Sequence, residues 1–152
     1  MTKSTQPANP DFEAVIRESF GRQNLMATLG ARLGQVAPGL VEISLDASPA
    51  LTQQNGFVHA GALVSIADSA SGYAALSLAP AGCEVLAVEL KMSFMRPAIH
   101  ARLKAIGRVL RSGRTLSTCA ADVLGFEREG DSVLVATMLS TVSIRRSAGA
   151  GV

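Results

Sequence analysis

The 152-residue chain is poor in the side chains on which nucleic-acid, metal and redox sites depend. It has no tryptophan, its aromatic content is 4%, and it holds two histidines and two cysteines. Few aromatic residues argue against a nucleic-acid-binding protein, because bases stack on aromatic side chains. Two histidines without a cluster of further ligands predict that there is no metal site. Cys83 and Cys119 lack CxxC spacing, which predicts two free buried thiols in a cytoplasmic protein.

Charge is also scarce. Charged residues make up 17% of the chain and hydrophobic residues 48%, which excludes disorder and favours apolar surface buried between subunits. The first ten residues, MTKSTQPANP, contain no apolar stretch, which predicts that there is no secretory signal. Residues 57–83 carry one charge, Asp68. A carboxylate in the middle of that stretch, among many small residues, argues against a membrane span.

Turn and helix-end residues predict one domain between two flexible tails. The division is residues 1–8 for the first tail, 9–146 for the domain and 147–152 for the second tail. Asn9-Pro10 is a typical helix start, with Asn as the N-cap and Pro as the first helical residue. A short second helix over residues 25–29 ends at Gly30. Residues 40–46 alternate between apolar and polar side chains, which predicts a strand.

The centre of the chain predicts one long buried helix over residues 60–78, apolar nearly all round and ended by Pro80 and Gly82. Four alternating segments follow at residues 85–95, 100–111, 116–126 and 133–144. Turns at Ser112-Gly113 and Glu129-Gly130-Asp131 join the last three strands as an antiparallel meander. A sheet with one apolar face must cover that face. We therefore predict an α+β fold with an antiparallel five-stranded sheet wrapped around the central helix.

Asp68 lies in the middle of the predicted central helix. An unpaired buried carboxylate is costly, so its presence requires an explanation. One explanation is structural, with the carboxylate bonded to a backbone amide or to Ser65, Ser69 or Ser71. The other is catalytic, because burial raises the basicity of a carboxylate and suits it to proton abstraction.

The start of the same helix offers a complementary group. Free N–H groups in the first turn point outward and favour negative charge, so they can stabilise an oxyanion. The small residues Ala60 and Gly61 let a ligand approach the backbone closely. The plainer alternative is an ordinary helix start capped by His59.

The spacing of these two groups limits how they can act together. Residues 59 and 68 are nine apart, which is about 13.5 Å along a helix axis. One chain therefore cannot place both on the same carbonyl, whereas two antiparallel copies of the helix across a two-fold axis can. If both groups are catalytic, we predict that the active site lies between two subunits.

Two motifs in this region resemble those of a known family. The segment QQNGFVHAG at residues 53–61 and the segment ADSA at residues 67–70 resemble the N-x-x-G-x-x-H-G-G and A-D-x-A motifs of PaaI-like hotdog-fold thioesterases. The resemblance extends over residues 25–145. It implies a hotdog fold and a homodimer with a continuous sheet, often paired into a dimer of dimers. It also implies two active sites per dimer at the interface.

The resemblance implies roles for individual residues. Asp68 would be the general base or nucleophile, and the backbone amide of Ala60 would polarise the thioester carbonyl. His59 would shape the helix start. Three positions depart from the family, with Ala60 replacing a glycine, Gln53 an asparagine and Ala87 a serine or threonine of the second strand. The implied catalytic residues are Asp68, Ala60, His59, Gln53 and Gly61.

A basic segment suits the phosphates of coenzyme A. Residues 91–114 hold seven of the 14 Lys and Arg residues and no acid. Arg111 and Arg114 flank a predicted hairpin tip, where a nucleotide could bind. A solvated strand face is the alternative. The candidate substrate-binding and CoA-binding residues are Asn55, Ala87, Arg96, Arg111, Arg114 and Thr115.

The function predicted from these observations is hydrolysis of an aryl- or medium-chain acyl-CoA thioester to the free acid and CoA. The predicted reaction needs no metal and no cofactor beyond the CoA of the substrate. Two alternatives remain open, a non-catalytic acyl-CoA sensor and an enoyl-thioester hydratase. The sequence leaves the acyl group open, as well as the choice between general base and nucleophile for Asp68.

Overall fold

The computed structural model describes residues 6–128 and 130–147. Its elements are α1 (Phe12–Gly21), α2 (Asn24–Leu29), β1 (Arg32–Ala37), β2 (Leu40–Asp46), α3 (Ala60–Leu76), β3 (Cys83–Phe94), β4 (Arg102–Ser112), β5 (Leu116–Arg128) and β6 (Asp131–Arg146). Most of the two predicted tails, residues 1–5 and 148–152, and Glu129 of the second predicted turn lie outside the described residues.

The strands form one antiparallel sheet in the order β1-β2-β4-β5-β6-β3. The predicted meander of β4, β5 and β6 is confirmed, and the ends of the predicted strands shift by no more than two residues. The predicted count of five strands is one short. Strand β1 has six residues, and its pairing with β2 shifts register between Leu33 and Val36. This irregularity, together with Gly34, removes the alternation by which a strand is recognised.

Helix α3 lies across the inner face of the sheet, as predicted, and forms the centre of the core. Leu63 and Ile66 of α3 are buried, as are Leu103 and Ala105 of β4. The helix backbone rests directly on β4 at Gly107, where a Cβ atom would lie 2.3 Å from the carbonyl carbon of Ala70. Glycine at this position therefore sets how closely α3 approaches the sheet.

Two helix ends differ from the prediction. Helix α1 begins at Phe12 rather than Pro10, because the side-chain oxygen of Asn9 accepts the N–H of Asp11 in an Asx turn that precedes the helix. Helix α3 ends at Leu76, two residues early, where the Ser77 hydroxyl donates to the carbonyl of Ala74 over 2.7 Å. The predicted end of α2 at Gly30 is confirmed, and Gly30 has a φ of 67°.

The two cysteines are free, as predicted, but only Cys119 is buried. Burial raises the pKa of the Cys119 thiol to about 11, so this thiol is protonated at neutral pH and is a poor nucleophile. Cys83 is half-buried at the first position of β3. The prediction of two buried thiols is therefore wrong for Cys83.

Strand β3 forms one edge of the sheet and exposes apolar side chains. Leu86, Val88, Leu90 and Phe94 have exposed fractions between 38% and 59%. Leu90 and Phe94 point to the inner face, because their ladder partners on β6 are buried, yet α3 leaves them uncovered. A long apolar edge strand is a site of association with another chain.

Candidate active site

Asp68 lies on α3 in a cleft of about 310 Å³. Helix α3 forms one wall of the cleft, and Val85 and Ala87 of β3 lie opposite it. Gln23, between α1 and α2, closes a third side. Gly72 lies one helical turn beyond Asp68 and leaves the space between α3 and β3 open. The predicted substrate-binding residue Ala87 therefore does lie beside Asp68.

The Asp68 carboxylate makes no hydrogen bond or ion pair with any described residue. None of the three serines suggested by the sequence holds it. The hydroxyl of Ser65 donates to the carbonyl of Gly61 over 2.8 Å, and that of Ser69 to Oε1 of Gln23 over 3.2 Å. Ser71 is buried, and its hydroxyl has no partner among the described residues. The structural explanation for Asp68 thus lacks the hydrogen bonds that it requires.

Burial without a partner also changes the acidity of Asp68. Desolvation raises the pKa of this carboxyl above its ordinary value, because a low-dielectric environment disfavours the charged form. The carboxylate is consequently a stronger base than an exposed aspartate. It also faces an open cleft, where a water molecule can reach it. These are the properties of a general base.

The start of α3 leaves one backbone donor unused. Nδ1 of His59 accepts the N–H of Gly61 over 2.8 Å, and the carbonyl of His59 accepts the N–H of Ala62 over 3.0 Å. The N–H of Ala60 has no hydrogen-bond partner among the described residues. His59 therefore caps the helix while leaving free the amide that the sequence predicts as oxyanion donor. The residues 59, 60 and 61 are all exposed.

This helix start borders a second cleft, of about 410 Å³. Gln53, Phe94 and Arg96 line it together with His59 and Ala60. The side-chain oxygen of Gln53 is already engaged by the N–H of Asn55. This bond fixes the loop before the helix and leaves the Gln53 side-chain amide nitrogen as the donor available to a ligand.

The two clefts share no lining residue. Ala60 and Asp68 are eight residues apart on one continuous helix, a rise of about 12 Å. One chain therefore brings Ala60, His59, Gln53 and Gly61 together at the helix start and Asp68 with Ala87 in the other cleft. It does not bring the proposed base and the proposed oxyanion donor together.

The basic segment is also divided. Arg102 pairs with Asp46, Lys104 with Glu42 and Arg108 with Asp122, so these three cations belong to a solvated strand face. Arg111 and Arg114 are exposed, with no ion-pair partner among the described residues.

The predicted CoA-binding residues lie at opposite ends of the sheet. The carbonyl of Thr115, in the β4–β5 hairpin, accepts the N–H of Ile144 near the end of β6. Arg96 donates to the carbonyl of Leu134 near the start of β6. Arg96 and the hairpin that carries Arg111 and Arg114 are therefore separated by most of the length of β6.

Comparison with known proteins identifies the family. The model of the thioesterase superfamily matches residues 55–135, more than half of the chain. The chain belongs to the thioesterase superfamily. It is accordingly a thioester hydrolase, and the matched segment contains the start of α3 and Asp68. None of the curated proteins matches the sequence.

Solved structures extend the likeness of this thioesterase over most of its length. A thioesterase family protein from Silicibacter pomeroyi is 42% identical, covers 90% of this chain and 99% of its own, and has a TM-score of 0.86. The PaaI protein of the Escherichia coli phenylacetic acid degradation operon is 18% identical, with coverages of 93% and 97% and a TM-score of 0.80. A thioesterase from Haemophilus influenzae is 16% identical, with coverages of 93% and 94% and a TM-score of 0.78. The predicted hotdog fold is confirmed.

Two polar residues of the thioesterase's Asp68 cleft were not considered from the sequence. Gln23 and Tyr73 line the cleft, and Nε2 of Gln23 donates to Oη of Tyr73 over 2.8 Å. Gln23 precedes the segment that matches the family. The only signal in the sequence is a polar residue between two short helices, which is common in loops.

The described part of the thioesterase holds no group of three or more His, Cys, Asp or Glu side chains placed to bind a metal ion. In the same residues, no helix has both the length and the apolar character needed to cross a bilayer.

Proposed function

We propose that this thioesterase hydrolyses acyl-CoA with an aryl or medium-chain acyl group, at sites formed between the two subunits of a homodimer. One observation carries the proposal. An unpartnered carboxylate lies in one cleft, an unpartnered backbone amide borders the other, and each cleft lacks what the other supplies. Ester-type hydrolysis needs both groups at one carbonyl.

The edge strand β3 supports this arrangement. Val85 and Ala87, near its start, border the Asp68 cleft, and Phe94, at its end, borders the helix-start cleft. If two β3 strands pair antiparallel about a two-fold axis, the end of one lies beside the start of the other. Asp68 of one subunit then faces Ala60 of its partner, and the exposed apolar side chains of β3 become buried.

The reaction follows from the two groups. Asp68 takes a proton from water as the water oxygen attacks the thioester carbonyl, and the N–H of Ala60 of the partner subunit stabilises the oxyanion. Collapse of the tetrahedral intermediate breaks the carbon–sulfur bond. The proton held by Asp68 passes to the departing thiolate, which gives the free acid and CoA. Direct attack by Asp68 is the variant, in which an anhydride forms and water then hydrolyses it.

Two-fold pairing also accounts for the separated cations. The hairpin that carries Arg111 and Arg114 contacts Ile144, whose ladder partner Val85 lies at the start of β3. Arg96 follows the end of β3. Antiparallel pairing of the two β3 strands therefore places Arg96 of one subunit near the hairpin of the other. We propose that these three cations, with Thr115 and Asn55, hold the phosphates and ribose of CoA.

A second contact is proposed on the outer face of the sheet, where it would join two dimers. Leu86, Leu116 and Leu139 point to this face, as their shared register along β6 shows, and have exposed fractions of 47% to 52%. A patch of exposed leucines on a sheet face marks a protein interface.

The test is thiol release from a panel of short, medium-chain, long and aryl acyl-CoAs, with phenylacetyl-CoA and octanoyl-CoA included. We expect hydrolysis of at least one aryl or medium-chain substrate. Binding of acyl-CoA without thiol release from any substrate would instead identify a sensor. Appearance of a hydrated acyl chain from an enoyl-CoA, with the thioester intact, would identify a hydratase.

A further inference from the structure

The Asp68 cleft is closed on one side by residues 22–25, which comprise the link after α1 and the first two residues of α2. We call this segment the α1–α2 junction. Gln23 and Leu25 of the junction line the cleft. The junction lies outside the segment that matches the family, which begins at residue 55. The family match therefore gives it no role.

Gln23 fixes the α1–α2 junction to the catalytic helix. Its Oε1 accepts the hydroxyl of Ser69 over 3.2 Å, and its Nε2 donates to Oη of Tyr73 over 2.8 Å. Ser69 directly follows Asp68, and Tyr73 lies one turn further along α3. The amide thus spans the turn that follows Asp68. Tyr73 is only 4% exposed, so its hydroxyl requires partners, and Gln23 and the hydroxyl of Ser19, 3.2 Å away, supply them.

Leu25 presents an apolar side chain to the same cleft. It is 55% exposed, although a leucine beside buried residues is usually covered. Val85 and Val142 form the apolar wall on the other side, and Gly72 has no side chain to fill the space between α3 and β3. An apolar chain that extends from a carbonyl at Asp68 toward Gly72 would cover Leu25.

We propose that the α1–α2 junction selects the acyl group, with Leu25 in contact with an apolar acyl chain and Gln23 as the positioning residue that holds Leu25 in place. This inference rests on the proposed acyl-CoA hydrolysis and adds to it the substrate class, acyl groups long enough to pass Asp68 and reach Leu25. The contact is remote from the reacting carbon, so it contributes to binding equally in the ground and transition states. Its loss is expected in KM rather than in kcat.

The test compares butyryl-CoA with octanoyl-CoA in thiol-release assays of the wild type and of four variants. Leu25→Ala removes the proposed contact, and Gln23→Ala removes the bridge. Tyr73→Phe removes the hydroxyl that both Gln23 and Ser19 contact. Val15→Ala truncates an exposed apolar side chain of the neighbouring α1, outside the cleft, and is the control. For Leu25→Ala we expect KM for octanoyl-CoA to rise about tenfold with kcat unchanged, and KM for butyryl-CoA to stay within about twofold.

Gln23→Ala and Tyr73→Phe are expected to shift selectivity in the same direction, with Tyr73→Phe the weaker. Leu25 is exposed, so Leu25→Ala keeps the test decisive even if Gln23→Ala does not fold. Calorimetric binding of both acyl-CoAs to Asp68→Asn, with and without Leu25→Ala, separates the two proposals. Thiol release with the same octanoyl-to-butyryl ratio in Leu25→Ala and Val15→Ala would overturn the inference alone. Leu25-dependent binding without thiol release by the wild type would overturn the hydrolysis and leave the inference standing.

Discussion

The two clefts along α3 differ in which residues they tolerate at positions 60 and 68. In the proposed mechanism the helix-start cleft uses a backbone N–H, which every residue except proline supplies, so Ala60 can replace the glycine expected in relatives. In the same mechanism the Asp68 cleft uses a side chain that must stay charged, half-buried and unpaired. The N–H of residue 60 is left unpaired by helix geometry itself. The charged Asp68 carboxylate, in contrast, is desolvated and so destabilises the fold. Substitution is therefore expected to be tolerated at residue 60 and not at residue 68.

The largest effect is expected from removal of the Asp68 carboxylate, the side chain on which the proposed site depends. Asp68→Asn nearly preserves shape but abolishes the base, and we expect turnover to fall by at least ~100-fold, the usual scale for a general base. Circular dichroism and thermal unfolding check that the variant folds. Ala60→Ser is the matched control, because it changes a side chain at the helix start and keeps the amide. Wild-type turnover in a folded Asp68→Asn protein would remove Asp68 from the mechanism.

The second test separates Asp68 of one subunit from Ala60 of the other without changing either residue. Leu90→Arg places a charge on the apolar inner face of β3, outside both clefts. We expect a monomer by light scattering and a loss of turnover approaching that of Asp68→Asn, because each monomer then has two incomplete sites. Leu139→Arg on the outer face is the control. It disrupts only the proposed contact between dimers and is expected to keep the dimer and its activity. A fully active Leu90→Arg monomer would mean that one chain holds a complete site.

The third test combines two inactive variants in mixed dimers. Ala60→Pro removes the N–H, and the structure suits this substitution because residue 60 is the first helical residue and His59 has φ −60° and ψ 138°. Ala60→Pro and Asp68→Asn homodimers should both be nearly inactive. Random mixing gives half mixed dimers, each with one intact site, so activity should recover to about a quarter of wild type. No recovery in mixed dimers verified by differential tags would contradict a shared site.

Much of this arrangement could be predicted from the sequence, because helix spacing is a fixed geometric quantity. The separation of residues 60 and 68 along α3 follows from their numbers alone. The proposal that two chains share a site follows from this separation if both groups are catalytic. The role of Gln23 could not be predicted, since its contact with Ser69 spans 46 residues and arises from packing of the N-terminal helices on α3. Strand β1 was missed because its register shift removes the alternating pattern. The unpartnered state of Asp68 depends on where three nearby serines point.

Substitution of the proposed CoA-binding residues should reduce activity less than substitution of Asp68 or loss of the Ala60 N–H. Arg111→Ala and Arg114→Ala are expected to raise KM for acyl-CoA by about five- to tenfold and to leave kcat nearly unchanged, because a phosphate contact is distant from the reacting carbonyl. Arg102→Ala, which removes a cation paired with Asp46, is the control. A truncated pantetheine thioester should show no effect in any of the three. Equal impairment on CoA and pantetheine substrates would mean that neither arginine contacts the nucleotide.

The smallest expected effect is on the free energy of unfolding. Asp68 should lower it in a pH-dependent way, whereas the N–H of Ala60 should not. Burial raises the pKa of Asp68 above its unfolded value, so the folded state binds more protons than the unfolded state in the interval between the two values. Stability therefore falls as pH rises through that interval, and above it the charged carboxylate destabilises the folded protein.

The Asp68→Asn substitution removes this pH-dependent contribution. We expect the free energy of unfolding of Asp68→Asn to exceed that of the wild type at pH 7 and to approach it below the unfolded pKa. The difference in free energy of unfolding between Ala60→Pro and the wild type should stay constant with pH, because both proteins keep Asp68 and an amide does not titrate. Urea unfolding of the three proteins at several pH values measures the difference. If the difference in free energy of unfolding between Asp68→Asn and the wild type stays constant with pH, Asp68 is not desolvated in solution. Desolvation could then not explain the raised basicity proposed for Asp68.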